Sequence, residues 1–160
     1  EEGQLIFDNL VLKLPIFGQL LKQTILAEFS RTFGLLVGTG TLVVPSLLET
    51  ADITGNIHYK NAIKDVSRQV EKGVTIGDAL SSYTLFPPIL VQLVKVGEQT
   101  GKIDETLARA SDYFESEVNQ TVKTLTTALE PFIMIVLGIG VAFLIVSVIT
   151  PIYSLISGLQ

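Results

Sequence analysis

The sequence contains no cysteine, which excludes disulfides, zinc–thiolate sites and cysteine nucleophiles. Its one histidine, His58, has no ligand partners at metal spacing and reads as a plain surface residue at a helix start. No glycine-rich phosphate loop, no Ser/His/Asp arrangement and no ligand cluster is present, so neither an enzyme nor a cofactor- or metal-binding protein is expected. Charge is sparse at 17% of residues, and the formal net charge of −5 is opposite to what nucleic acid requires of a partner. Strand signals are missing as well. Alternating stretches are short and the turn dipeptides of hairpins do not occur.

The scarcity of charge is complete at the end of the chain, where Pro131 to Gln160 carry no charged side chain and no histidine. The core of this run, Phe132 to Ile149, is eighteen residues long and as a helix would measure about 27 Å, close to the hydrocarbon thickness of a bilayer. A helix buried in a soluble protein rarely needs so long an apolar run without a polar face, so a transmembrane helix is expected here. Arg109 and Lys123 precede the span and nothing basic follows it, which places the preceding domain in the cytoplasm. The chain of 160 residues begins Glu1-Glu2-Gly3 without a basic, apolar signal sequence, and reads as a piece of a longer protein.

What remains has the length of one helical domain. Residues 1–23 mix apolar residues with Asp8, Lys13 and Lys22, interrupted by Pro15 and Gly18, and read as a membrane-proximal linker. From Thr24 the helical period appears in Leu26, Phe29, Phe33 and Leu36, ended by Gly38 and Gly40. A short second helix begins at Pro45 and stops near Gly55. Asn56 caps a third, with Tyr59, Ile63, Val66 and Val70 on one face and Lys60, Lys64, Arg68 and Lys72 on another. Thr75 and Asp78 start a brief fourth helix ending near Ser82. Pro87-Pro88 open a fifth, almost entirely apolar and so expected at the centre of the bundle, running through Val94 or Val96 to a turn at Gly97–Gly101.

The sixth helix carries Ile103, Leu107, Ala110, Phe114, Val118, Val122, Leu125 and Leu129 at spacings of three and four, with Asp104 and Glu105 in the first turn, where the helix dipole favours negative charge. It runs to Glu130-Pro131 and on into the membrane. The expected fold is all-α: an antiparallel six-helix bundle over residues 24–130 whose last helix leads into a C-terminal transmembrane helix and short tail, 131–160.

Several segments, in this order, resemble the F family of type II secretion and type IV pilus assembly systems, the PilC-like platform proteins of the inner membrane. They are Leu14-Pro15-Ile-Phe-Gly18, Phe29-Ser-Arg-Thr-Phe-Gly-Leu-Leu36, Thr54-Gly-Asn56, Gly73-Val-Thr-Ile-Gly-Asp-Ala-Leu80 and Phe86-Pro87-Pro88. Val96-Gly-Glu-Gln-Thr-Gly-Lys-Ile-Asp104, Tyr113-Phe-Glu-Ser-Glu-Val118, Leu129-Glu-Pro131 and Pro151 follow. The resemblance implies a full chain with two copies of a six-helix cytoplasmic domain and three membrane spans, of which this chain corresponds to the second copy and the final span. It also implies a bacterial inner-membrane location, contact with a hexameric assembly ATPase, and transfer of its motion to pilins or pseudopilins within a homo-oligomeric platform. One departure is Gly38-Thr-Gly-Thr-Leu-Val43, where many relatives have a serine–glycine pair. A membrane-tethered ligand or signal receptor is the alternative function.

The candidate interaction and coupling residues fall into two groups. Gly97, Glu98, Gly101 and Asp104 form the turn between the fifth and sixth helices. They either build the turn itself, with Glu98 bonding free amides and Asp104 capping a helix, or present a contact surface to a partner or sister domain, or lend carboxylates to a calcium site completed from elsewhere. Glu130 and Pro131 stand where the sixth helix meets the bilayer, with a bend or loosened turn expected. Gly138 and Ala142, with Gly140 alongside, form a small-residue pair suited to close packing of membrane helices. Pro151 is expected to kink or end the helix. The Lys60, Lys64, Arg68, Lys72 face would attract acidic partners or anionic lipid unless it is only a solvated face, and the same choice applies to Asp112, Glu115 and Glu117.

Overall fold

The structure, a computed structural model, describes residues 17–157; residues 1–16 of the expected 1–23 linker, including Leu14-Pro15-Ile16, and the last tail residues, 158–160, lie outside the described residues. Among the described residues every regular element is a helix: α1 Phe17–Gly38, α2 Val43–Ile53, α3 Ile57–Glu71, α4 Ile76–Ser81, α5 Pro88–Thr100 and α6 Ile103–Ser157. The chain divides into two compact units, the first ending at Thr121 and the second beginning at Val122, so α6 contributes residues to both.

Local chemistry sets most of these boundaries. The Asn56 side chain accepts from the amides of His58 at 3.0 Å and Tyr59 at 3.3 Å, holding the first turn of α3. Thr75 accepts from the Asp78 amide at 3.3 Å and starts α4. Pro88 opens α5 at the position where its missing N–H costs nothing. Helix α1 is already formed at Phe17, the first described residue, seven residues before the expected start at Thr24. Leu21 already packs on the core, so the apolar face extends back through the segment that Gly18 was expected to interrupt.

In the first unit, α1 packs on α2, α2 on α3, α3 on α4, and α4 on α5. The core is built on an aromatic cluster. Phe29 lies 5.7 Å from both Phe33 and Phe86, and Tyr59 meets Phe86 edge-on at 6.0 Å. Phe86 is thus the anchor that seats the turn before the Pro87-Pro88 pair. Helix α6 closes the core with Leu107, Ala110 and Phe114.

Contacts between α1 and α6 run in opposite sequence order: Gln23 with Glu117 and Thr121, Arg31 with Glu115, Gly34 with Leu107, Gly38 with Asp104. The two helices are therefore antiparallel.

Helix α5 departs from expectation. It is not central: Leu90, Val94 and Gly97 are buried, while Ile89 and Val96 face outward. A nearly unbroken apolar run concealed an ordinary one-sided helix. His58 departs as well, being half-buried with its Nε2 atom shielded from solvent. The apolar face of α6 is buried as far as Phe114 and half-buried at Val118; Val122 and Leu129 are 45% and 55% exposed.

Tyr59 offers a test of the core. Its ring is fully buried, its hydroxyl donates to the Leu85 carbonyl at 3.2 Å, and burial pushes its pKa up to about 12. A folded-state pKa raised above the ordinary value of 10 leaves stability intact below pH 10 and removes it as pH rises from there towards 12. Tyr59→Phe is expected to cost about 1 kcal/mol at neutral pH, by leaving the carbonyl without its donor, yet to flatten part of the alkaline limb. Thermal melts of both proteins from pH 8 to 12 check this. Parallel pH dependences would show that Tyr59 does not drive the loss.

In the second unit, α6 contains an eighteen-residue window of mean hydropathy 3.0, none of it buried. The core helix of a soluble protein would bury such a window, so lipid is the environment that suits it. The helix continues through Pro131, although proline removes one intrahelical donor, and Pro151 does not end it. Thr126 and Thr127 donate to the Val122 and Lys123 carbonyls four residues back, each at 3.0 Å.

Candidate functional site

The turn between α5 and α6 is built by glycine at two positions for different reasons. Gly101 has a φ of 69°, the left-handed conformation that ends α5, and the Lys102 amide returns to the Gly97 carbonyl at 2.9 Å. Gly97 is needed for closeness. A Cβ there would collide with Thr106 Oγ1 and stand 2.9 Å from the Ile103 Cα, so α5 and α6 touch backbone to backbone. The residues expected to form a loop, Gly97 to Thr100, are instead the last turn of α5.

Glu98 reaches across to α4. Its two carboxylate oxygens accept from the amides of Ile76 at 2.5 Å and Gly77 at 2.8 Å, the first helical residues of α4. A negative group at a helix N-terminus satisfies orphan donors and meets the positive end of the dipole. Two further features fix the same contact. Lys95 pairs with Asp78 at 2.7 Å and, with help from Thr75, holds the Asp78 carboxyl below the usual range. Gly77 lies so close to the Lys95 side chain that a Cβ would overlap it. Glu98 is thus the clamp between α4 and α5, with each of its oxygens engaged by a backbone amide.

Asp104 stands differently. It lies in the first turn of α6, exposed, and faces Gly38 of α1. With Arg31, Gly34, Leu35, Ala108 and Asp112 it lines a groove of about 550 Å³ between α1 and α6. The structure therefore brings Gly97, Glu98, Gly101 and Asp104 to one corner of the first unit, but only Asp104 offers a side chain with no partner among the described residues.

Glu130, Pro131, Gly138 and Ala142 belong to the second unit. Glu130 is exposed on its helix, and a Cβ at Gly138 or Gly140 would meet open space. Gly138 and Ala142 lie one turn apart along one side of the helix, leaving room there for a close neighbour.

The two charged faces are largely neutralised within the chain. Lys60 and Lys64 both reach Asp52, at 3.2 and 2.8 Å, and together hold its carboxyl below the usual range. Arg68 pairs with Asp65 at 2.5 Å, and Asp65 also accepts from the Tyr83 hydroxyl. On α6, Glu115 pairs with Arg31 and Glu117 accepts from Gln23 at 3.3 Å. Gly38, expected only to end α1, and Gly34, one helical turn before it, are both positions of close approach to α6, and an interior helical glycine such as Gly34 is the sequence signal for it.

Residues 29–151 match the family model described as type II secretion system (T2SS), protein F. Among curated relatives, the chain is 36% identical over 148 residues to the type IV pilus assembly protein PilC of Pseudomonas aeruginosa, covering 92% of this chain and 40% of that protein. It is 33% identical over 160 residues to PilC of Thermus thermophilus, covering 99% and 39%. Identity to the type II secretion system protein F of Pseudomonas aeruginosa is 27% over 145 residues, covering 91% and 36%. The chain thus spans about two fifths of the length of these relatives. With the family model matched over most of its residues, the helical unit and the apolar end of α6 included, the chain belongs to the type II secretion system protein F family.

Proposed function

We propose that this chain is part of an inner-membrane platform of a type IV pilus or type II secretion machine, and that it couples a cytoplasmic assembly ATPase to the insertion or extraction of pilins or pseudopilins. In this reading the helical unit lies in the cytoplasm, the apolar end of α6 is the final span of a multi-pass protein, and the platform is a homo-oligomer. Glu130-Pro131 is the joint of the lever, and Gly138 with Ala142 packs against a neighbouring span.

The observation that supports this reading best is α6 itself. One helix carries Leu107, Ala110 and Phe114 of the core and, further on, the apolar window. A single helix that contributes residues to both units is suited to passing a displacement from one to the other.

The test uses Asp104→Lys in the full-length protein in its own host. This residue is exposed, bonds to no described residue and has an ordinary helical backbone, so its reversal leaves the fold intact. Surface pili or secreted substrate are expected to fall several-fold, together with recovery of the ATPase on the tagged platform. If assembly and ATPase recovery both match the wild type, this corner of the unit is not the coupling surface.

A further inference from the structure

The groove beside Asp104 is longer than the turn it adjoins. A second hollow of about 230 Å³, lined among others by Glu28, Glu115, Val118 and Asn119, lies further along the same pair of helices, and Arg31 borders both. From Asp104 to Asn119 the trough extends about 22 Å at the rise of an α-helix, the length of some four helical turns. Its floor is bare because α1 places Gly34 and Gly38 against Leu107 and Asp104 of α6, with Ala108 beside them, and the large apolar side chain at its edge, Leu35, is 63% exposed.

The charge around this floor has one dominant sign. Glu28, Asp104, Glu105, Asp112 and Glu115 border the two hollows, against Arg31. Arg31 is occupied by Glu115, and Glu105 is paired with Lys102 at 2.9 Å. That leaves Glu28, Asp104 and Asp112 without an ion pair or hydrogen bond among the described residues, the last two on α6. Asp104 and Asp112 stand eight residues apart, about 12 Å along its axis.

We propose that this trough is a docking site for an amphipathic helix of a partner protein, seated with its apolar face on Gly34, Leu35 and Ala108 and with two Lys or Arg side chains, about eight residues apart, against Asp104 and Asp112. Helix-in-groove recognition needs an apolar floor, a length of several turns and flanking charges of opposite sign to the ligand, and all three are present. An anionic lipid surface is repelled by the same carboxylates. A second copy of this chain lacks the matching element in α3. There Lys60, Lys64 and Arg68 are already neutralised, Lys72 at its C-terminal end is a single cation free among the described residues where two are needed, and the apolar face is buried. The Arg31–Glu115 pair crosses between the two hollows; it is exposed, and such a pair opens at little cost. The inference stands on the groove alone and holds whichever protein supplies the helix.

The test uses the whole chain in phosphatidylcholine nanodiscs and a fluorescein-labelled fifteen-residue Leu/Gln helix bearing two lysines eight residues apart. A second peptide carries glutamates in place of the lysines, and empty discs give the lipid background. The lysine peptide is expected to bind at least tenfold more tightly than the glutamate peptide. Asp104→Lys with Asp112→Lys should invert that preference, and Ala108→Trp should weaken both peptides about tenfold by filling the floor. Glu71→Lys, on α3, should leave binding unchanged. The proposal is overturned if the lysine peptide binds no better than to empty discs, if the double reversal does not invert the preference, or if Glu71→Lys acts as strongly. It is also overturned if the chain self-associates in sedimentation and Ala108→Trp abolishes that association, which would make the trough an interface between copies. Circular dichroism identifies an unfolded Ala108→Trp, and the exposed double reversal then decides alone.

Discussion

Gly97→Val is expected to be the most damaging single substitution at the α5–α6 corner, lowering the stability of the first unit by about 3 kcal/mol or more, on the order of 10 °C in melting temperature. The reason is what the new atoms would meet. A Cβ alone would overlap Thr106 Oγ1 and stand 2.9 Å from the Ile103 Cα. Thr106 can turn its side chain away, at the cost of its bond to the Ile103 carbonyl at 3.1 Å, but the Ile103 backbone can yield only by moving α6. Valine adds two further methyl groups to the same gap. Gly97→Ala should therefore sit between valine and wild type, costing about 1–3 kcal/mol. Gly101→Ala, which carries a conformational penalty but meets nothing within 4 Å, should cost about 1 kcal/mol. Thermal unfolding in micelles ranks the three. A Gly97→Ala protein that melts like the wild type would mean that α5 and α6 are not in backbone contact.

The sequence yielded the helices because their signals are local. Asn56, Thr75 and Pro88 act within a few residues of where they stand, and the spacing of Ile103, Leu107, Ala110 and Phe114 is a property of one helix. The contacts that give the corner its character are not local. Glu98 meets amides 21 and 22 residues earlier in the chain, and Gln23 bonds to Thr121, a separation of 98. No periodicity encodes such a pairing. The trough was hidden for a related reason: it is left by small residues, Gly34, Gly38 and Ala108, on two helices far apart in sequence. Composition also misled at α5, where apolar residues on every side suggested a central helix although Leu90, Val94 and Gly97 are buried and Ile89 and Val96 face outward.

Glu98→Ala carries the second large expected effect, and its pattern matters more than its size. Removing the carboxylate strips two charge-assisted hydrogen bonds from the start of α4, and the Ile76 and Gly77 amides lose acceptors in a half-buried place. The combined loss is about 2–3 kcal/mol. Because α4 is only Ile76–Ser81 and is held to α5 by this clamp, the Lys95–Asp78 pair and the close fit at Gly77, the loss should be concentrated there. Amide exchange of α4 is expected to accelerate about thirtyfold or more, whereas α1 and α3 should change far less. Asp78→Ala, which removes an exposed ion pair, should have a much smaller effect. Glu98→Gln keeps one good acceptor but turns an NH2 towards the second amide, so it should fall close to alanine. Equal acceleration across α1, α3 and α4 would contradict a local clamp and indicate that Glu98 supports the whole unit. The same geometry decides which residue can report on a partner. Reversal at Glu98 would release α4 whether or not anything docks nearby, so a loss of assembly there is uninformative, and the exposed Asp104 is the position at which a charge change reads the contact itself.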